Sequence, residues 1–128
     1  MKHYEYIESD DCYDMAVEWL RHGNFEKAVE YFNRAIDLNP NFIYAYISLA
    51  RAYATKGKFT ESILALKRAS RIDTVFDRLP YLMARYAYKN GDFKGALAFI
   101  HRAIELDEKP LYVMARELFA ESYRSHPR

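Results

Sequence analysis

Asp37, Asn39 and Asn41 alternate as the first oxygen ligands of a calcium-binding loop do, but Phe42 stands where that loop must turn on a glycine. Gly57-Lys58 has the ending of a phosphate-cradling loop. The glycine that should precede it by five places is Ala52, and Phe59 replaces the hydroxyl residue that would reach a magnesium ion. His3, His22, His101 and His126 are nowhere paired at metal-ligand spacing, and the single cysteine, Cys12, cannot build a zinc cluster. An enzyme needs convergent reactive groups. None is in evidence, so the chain is expected to be non-enzymatic, with no catalytic residue, no metal and no cofactor.

The chain has 128 residues, about one domain's worth. It is 51% apolar and 29% charged, which suffices for a core and argues against wholesale disorder. The formal net charge of +1 supplies no global field for nucleic acid or anionic lipid. The distribution is uneven: residues 1–42 hold four basic and nine acidic residues, residues 43–76 six and two. Such polarity could orient a charged partner or a second copy of the chain. Lone Cys12 excludes an internal disulfide and suits a reducing compartment. "MKHYEYIESDD" lacks the apolar run of a signal peptide, and Phe42–Ala54, at 13 residues and broken by Arg51, is too short to cross a bilayer. A cytoplasmic, membrane-free protein is expected.

The elements that must position any binding residue follow from an internal period. Gly23, Gly57 and Gly91 stand 34 apart, as do Phe25, Phe59 and Phe93. The same interval relates Ala16, Ala50 and Ala84, then Ala28, Ser62 and Ala96, then Ala35, Ala69 and Ala103. Each copy reads as two helices. In the first copy, Cys12, Met15, Ala16 and Trp19 follow the spacing of one helical face between Ser9 and His22. Gly23 stops that helix by taking a left-handed conformation, and Asn24 caps the next. The second face is Ala28, Phe32, Ala35 and Leu38, and Pro40 prevents continuation. The later copies predict helices at Ile43–Lys56, Lys58–Ile72, Asp77–Asn90 and Asp92–Leu106. Alanines let paired axes approach while Trp19 and Phe32 fill the sides. A last stripe, Leu111, Met114, Ala115, Leu118 and Phe119, predicts a seventh helix that covers the open end of the third unit or, alternatively, joins a further repeat or another copy of the chain.

This pattern resembles the tetratricopeptide repeat, a helix–turn–helix unit of 34 residues. The resemblance covers residues 9–42, 43–76 and 77–110, with 111–125 as capping helix and 1–8 as an N-terminal tail. It implies an all-α, right-handed solenoid forming a single domain. Ala87 in place of a large residue, Pro80 in the first turn of its helix, Lys58 as a poor N-cap and Thr74 in place of a closing proline are departures.

The resemblance also implies a concave groove lined by the second, fifth, ninth, twelfth and thirteenth places of each unit. These are Asp10, Tyr13, Val17, Leu20 and Arg21, then Tyr44, Ile47, Arg51, Ala54 and Thr55, then Arg78, Tyr81, Arg85, Tyr88 and Lys89. Tyr and Arg are the residue types enriched at binding hot spots. The peptide-binding candidates are therefore Tyr13, Arg21, Tyr44, Arg51, Arg78, Tyr81, Arg85, Tyr88 and Lys89. Arg51 and Arg85 are 34 apart and should be stacked neighbours that repel unless an anion lies between them. The implied ligand is a peptide or protein segment with acidic and apolar residues. Against this stands the plainer reading of surface Tyr and Arg paired locally with carboxylates. Chaperone-binding relatives clamp a C-terminal carboxylate with Lys, Asn and Arg at five places, held here by Tyr13, Val17, Ser48, Arg78 and Leu82. Binding of chaperone tails in that mode is not expected.

Two other functions compete. Self-assembly into a homo-oligomer would use the acidic first unit and basic second unit, with "HYEYIE" of the tail in a neighbour's groove. RNA binding would use Lys58, Lys67, Arg68 and Arg71, but the net charge is too low for strong phosphate binding.

Overall fold

Three glycines with positive φ, Gly23 at 80°, Gly57 at 69° and Gly91 at 79°, end three helices and let the chain reverse within two or three residues. The computed structural model describes residues 8–126, so the tail readings for residues 1–7 lie outside it. The described residues form seven helices and no strand: α1 (Ser9–Arg21), α2 (Phe25–Leu38), α3 (Ile43–Thr55), α4 (Phe59–Ile72), α5 (Arg78–Lys89), α6 (Phe93–Leu106) and α7 (Pro110–Ser125). They pair as α1/α2, α3/α4 and α5/α6. Each pair packs on the next, and α7 packs on α6 as α3 packs on α2.

Local chemistry sets the boundaries. The Asn24 side chain accepts from the Lys27 backbone N–H at 3.1 Å, and Asp92 accepts from Gly95 at 2.9 Å. Lys58 makes no such cap. Four residues on, the buried Ser62 hydroxyl reaches the Ala50 carbonyl at 2.7 Å and the Lys58 carbonyl at 3.1 Å. The serine in an alanine column is thereby satisfied and ties α4 to both α3 and its own first turn. After α4, Asp73 accepts from Val75 N–H at 3.1 Å, a turn that does the work of the missing proline.

The core is a continuous band. Ala16, Ala28, Phe32 and Ala35 close the first pair; Ala50, Ser62, Leu66 and Ala69 the second; Ala84, Ala96, Ile100 and Ala103 the third, all fully buried. Ile63, Tyr81 and Phe99 join the band around α5–α7 to the rest. Cys12 is buried as expected, and burial pushes its thiol pKa up, which makes it a poor nucleophile.

Three packing expectations need correction. Trp19 does not fill the side of the first pair but is 38% exposed, and Met15 is exposed beside it. The equivalents of Met15, Leu49 and Met83, are buried, and that of Trp19, Tyr53, packs on Phe25 of the preceding unit, which α1 lacks among the described residues. Leu38 is exposed and Ile36 buried in its stead, because Leu38 turns past the edge of the face set by Ala28, Phe32 and Ala35. In α7 the buried side chains are Tyr112 and Phe119, whereas Leu111, Met114 and Leu118 are 54%, 67% and 51% exposed. The cap therefore packs through its aromatic stripe and turns its aliphatic stripe outward.

Phe32→Ala should cost about 3–5 kcal/mol, and Trp19→Ala under about 1 kcal/mol, in urea unfolding monitored by circular dichroism. Equal costs would contradict this account of the first pair.

Candidate functional site

A residue that follows a core alanine by one place points about 100° away from it around the helix. Arg51 follows Ala50 and Arg85 follows Ala84, so the contacts that bury the alanines turn both guanidinium groups to the free side of α3 and α5. Both are exposed. Arg78 opens α5 half-buried. The charges of all three act on one phenol, that of Tyr86. Burial pushes the Tyr86 pKa up, and the positive charges of Arg51, Arg85 and Arg78 draw it back down. Tyr86 also stacks on Phe59 with ring centroids 6.1 Å apart. Among the described residues none of the three arginines has a carboxylate within ion-pair distance. The local-pairing reading does hold for Arg21, whose guanidinium lies 2.7 Å from Glu18.

The other candidates separate into two groups. Tyr81, Arg85, Tyr88 and Lys89 line one trough of about 410 Å³ between α5 and α7. Its opposite wall is Leu111, Met114, Ala115 and Leu118, with Phe119 between. Arg85 stands 5.8 Å from the Tyr81 ring centroid. Tyr81 stacks on Tyr112 and Tyr88 on Phe119, each at 4.8 Å. Tyr13, Arg21 and Tyr44 do not share that trough. Tyr13 is half-buried, edge-on to Phe32 at 5.7 Å, with its hydroxyl 2.9 Å from Ser48 Oγ. Tyr44 is exposed. Ile47, placed in the groove by the repeat register, is buried, and Thr55 turns its hydroxyl back to the Ala52 carbonyl at 2.6 Å.

Sequence reasoning missed two parts of this region. One is the aliphatic wall of α7, whose residues were expected to face the core. The other is a clamp that holds α7. Asp77, just before α5, does not cap its own helix; its carboxylate accepts from the Tyr112 hydroxyl at 2.5 Å and from Lys109 Nζ at 3.0 Å. The signal was an aromatic stripe, Tyr112, Phe119 and Tyr123, which competes with the aliphatic stripe on the same helix. Among the described residues no three potential metal ligands gather, and no helix is long and apolar enough to cross a membrane.

The clamp titrates in a defined way. The bond from Tyr112, then that from Lys109, holds the Asp77 carboxyl below the usual aspartate value. Its contribution is complete above about pH 4 and is lost as pH falls through the lowered value. Burial first, then the bond to Asp77, pushes the Tyr112 phenol up to about 12. That contribution is complete below about pH 10 and is lost as pH rises toward 12. Tyr112→Phe should flatten both limbs of a plot of urea midpoint against pH. Limbs as steep as the parent's would contradict the clamp.

Comparison with known proteins agrees with the architecture. The tetratricopeptide repeat family model matches residues 13–74 and 81–128. Superkiller protein 3 of Schizosaccharomyces pombe is 28% identical over 109 residues, which is 85% of this chain and 8% of that protein. The chain spans 8% to 58% of the lengths of the curated relatives it matches. Among solved structures, the N-terminal domain of stress-induced protein-1 from C. elegans superposes with a TM-score of 0.82 at 20% identity, covering 88% of this chain and 94% of that one. The first repeat domain of Spaghetti (RPAP3), bound to the HSP90 peptide SRMEEVD, gives a TM-score of 0.76 at 13% identity, covering 92% of each chain. With three stacked helix pairs and a seventh helix in a right-handed α-solenoid, the chain belongs to the tetratricopeptide repeat family.

Proposed function

We propose that this chain is a non-enzymatic interaction module that holds a peptide or protein segment in the groove lined by α1, α3 and α5. The reading rests on one observation: Arg51 and Arg85 hold equivalent places on α3 and α5, Arg78 opens α5, and among the described residues none of the three has a carboxylate within ion-pair distance. Clustered guanidinium groups favour a ligand that brings carboxylates, which they bind in a planar, often bidentate geometry. Tyr81 and Tyr88, which line the α5–α7 trough with Arg85, offer rigid apolar area for the ligand's hydrophobic residues. The remaining candidates, Tyr13, Arg21, Tyr44 and Lys89, belong to the same groove on this reading, with Tyr13 acting more as a strut between α1 and α3. A reducing, cytoplasmic setting accords with the lone buried Cys12. Nucleic acid is the poorer ligand. Of the basic residues on α4, Arg68 lies 5.1 Å over the Tyr46 ring and Lys67 5.8 Å over the Phe99 ring.

An array of acidic-apolar peptides should yield ligands whose affinity falls at least tenfold in the double variant Arg51→Ala, Arg85→Ala, about 1.4 kcal/mol or more. Unchanged binding of every ligand would remove the arginine cluster from the function.

The solved relative that carries an HSP90 peptide raises the question of chaperone tails. The five clamp places hold Tyr13, Val17, Ser48, Arg78 and Leu82, and Tyr13 and Ser48 bond to each other. Arg78 is the one cation among them, so a free C-terminal carboxylate lacks the set of donors that mode requires. Fluorescence titration with the peptide SRMEEVD should show no submicromolar binding. Submicromolar affinity abolished by Arg78→Ala would contradict this.

A further inference from the structure

Both ends of the solenoid display packing faces that its middle covers. Met15 precedes Leu49 and Met83 in the repeat, and those two are buried. On α1 the same face is open and shows Met15 and Trp19, with Asp11, Asp14 and Glu18 around them, all exposed. At the other end, Met114 and Leu118 stand 34 places after Pro80 and Ala84. Pro80 and Ala84 are buried, whereas Met114 and Leu118 are open and form, with Leu111, one wall of the trough beside Arg85 and Lys89. An apolar strip of this kind on a soluble chain marks an interaction surface.

The two faces complement each other in charge. The trough contains two cations and no carboxylate. The α1 face brings three carboxylates: Glu18 holds Arg21 at 2.7 Å, Asp11 accepts from the Glu8 backbone N–H at 3.1 Å, and Asp14 is left for a partner, so the face stays net negative. The trough also lacks Asn, Gln, Ser and Thr among its lining residues, so an extended strand would find few partners for its backbone groups. A helix satisfies its own. From these observations we propose that the α5–α7 trough receives α1 of a second copy of the chain, with Met15 and Trp19 against Leu111, Met114 and Leu118. Carboxylates of α1 then face Arg85 and Lys89. The contact is head to tail, so each copy keeps one free end and association continues past the dimer or closes into a ring. This inference goes beyond the peptide-binding reading: the two occupants share Tyr81, Arg85, Tyr88 and Lys89 and compete for the trough, whereas Met15 and Trp19 serve self-association alone and Arg51 the peptide alone.

The test is the mass of the whole chain in low salt by sedimentation, from about 10 µM to about 1 mM, where mass action reveals a weak contact. The average mass should rise past twice the monomer and fall back as salt screens the carboxylates. Met114→Glu should block one end and Trp19→Glu the other, each giving a monomer with unchanged helix content. Mixed in equal amounts, the two variants should form a dimer and stop there, since one open end survives on each. Leu118→Glu and Met15→Glu replace either variant that loses its fold. A monomer at every concentration overturns the proposal. So does a dimer that survives Trp19→Glu, which would mean that α7 pairs with α7.

Discussion

No helix pair in this chain can bury its own apolar face, and the rest of the structure follows from that constraint. Alanines at Ala16, Ala28 and Ala35 bring two axes together but offer little area of their own. The larger side chains, Phe32, Leu66, Leu79 and Ile100, gain full burial by reaching across to neighbours. Stability is thus a property of stacked contacts, and each unit depends on the units beside it. A structure built this way has unfinished ends as a matter of course. It also has one side, along the first helices, where charged side chains such as Arg51 and Arg85 are held in register outside the core.

The repeated positions were the legible part. Glycine at a helix end, asparagine or aspartate at a helix start and alanine at a close approach each act within a few residues, so their spacing in the chain carries the geometry. The candidate site was legible to the same depth: Arg51 and Arg85 are placed by the alanines before them. What the chain did not reveal depends on neighbours. Trp19 has the size and spacing of a core residue and is open because nothing described stands before α1. On α7 two apolar stripes compete, and periodicity alone cannot choose between them. The bond from Tyr112 to Asp77 and the stacking of Tyr81 and Tyr88 on α7 decide the matter, and these are contacts across roughly one repeat length. Ile47 shows the reverse case, a place the repeat register assigns to the groove but packing takes for the core.

The groove and the ends draw on one arrangement of charge. The helices fix where each unpaired guanidinium group is rooted, while ordering its exposed side chain on a ligand still costs about 0.5–1.5 kcal/mol. Burial outweighs the charge of the three arginines in setting the Tyr86 pKa, so the phenol does not neutralise them. Where Arg21 meets Glu18 the same residue type is neutralised locally, which shows how readily such pairing arises when a carboxylate is one turn away.

Native-state amide hydrogen exchange tests the stacking claim most directly, because it reads the opening free energy helix by helix. If neighbour contacts supply the stability, protection is greatest in α3, α4 and α5, which have covered units on both sides, and declines toward α1 and α7. Protection in α1 and α2 equal to that of the middle helices, or a hairpin of α1 and α2 that stays folded when the rest has opened, would contradict the account.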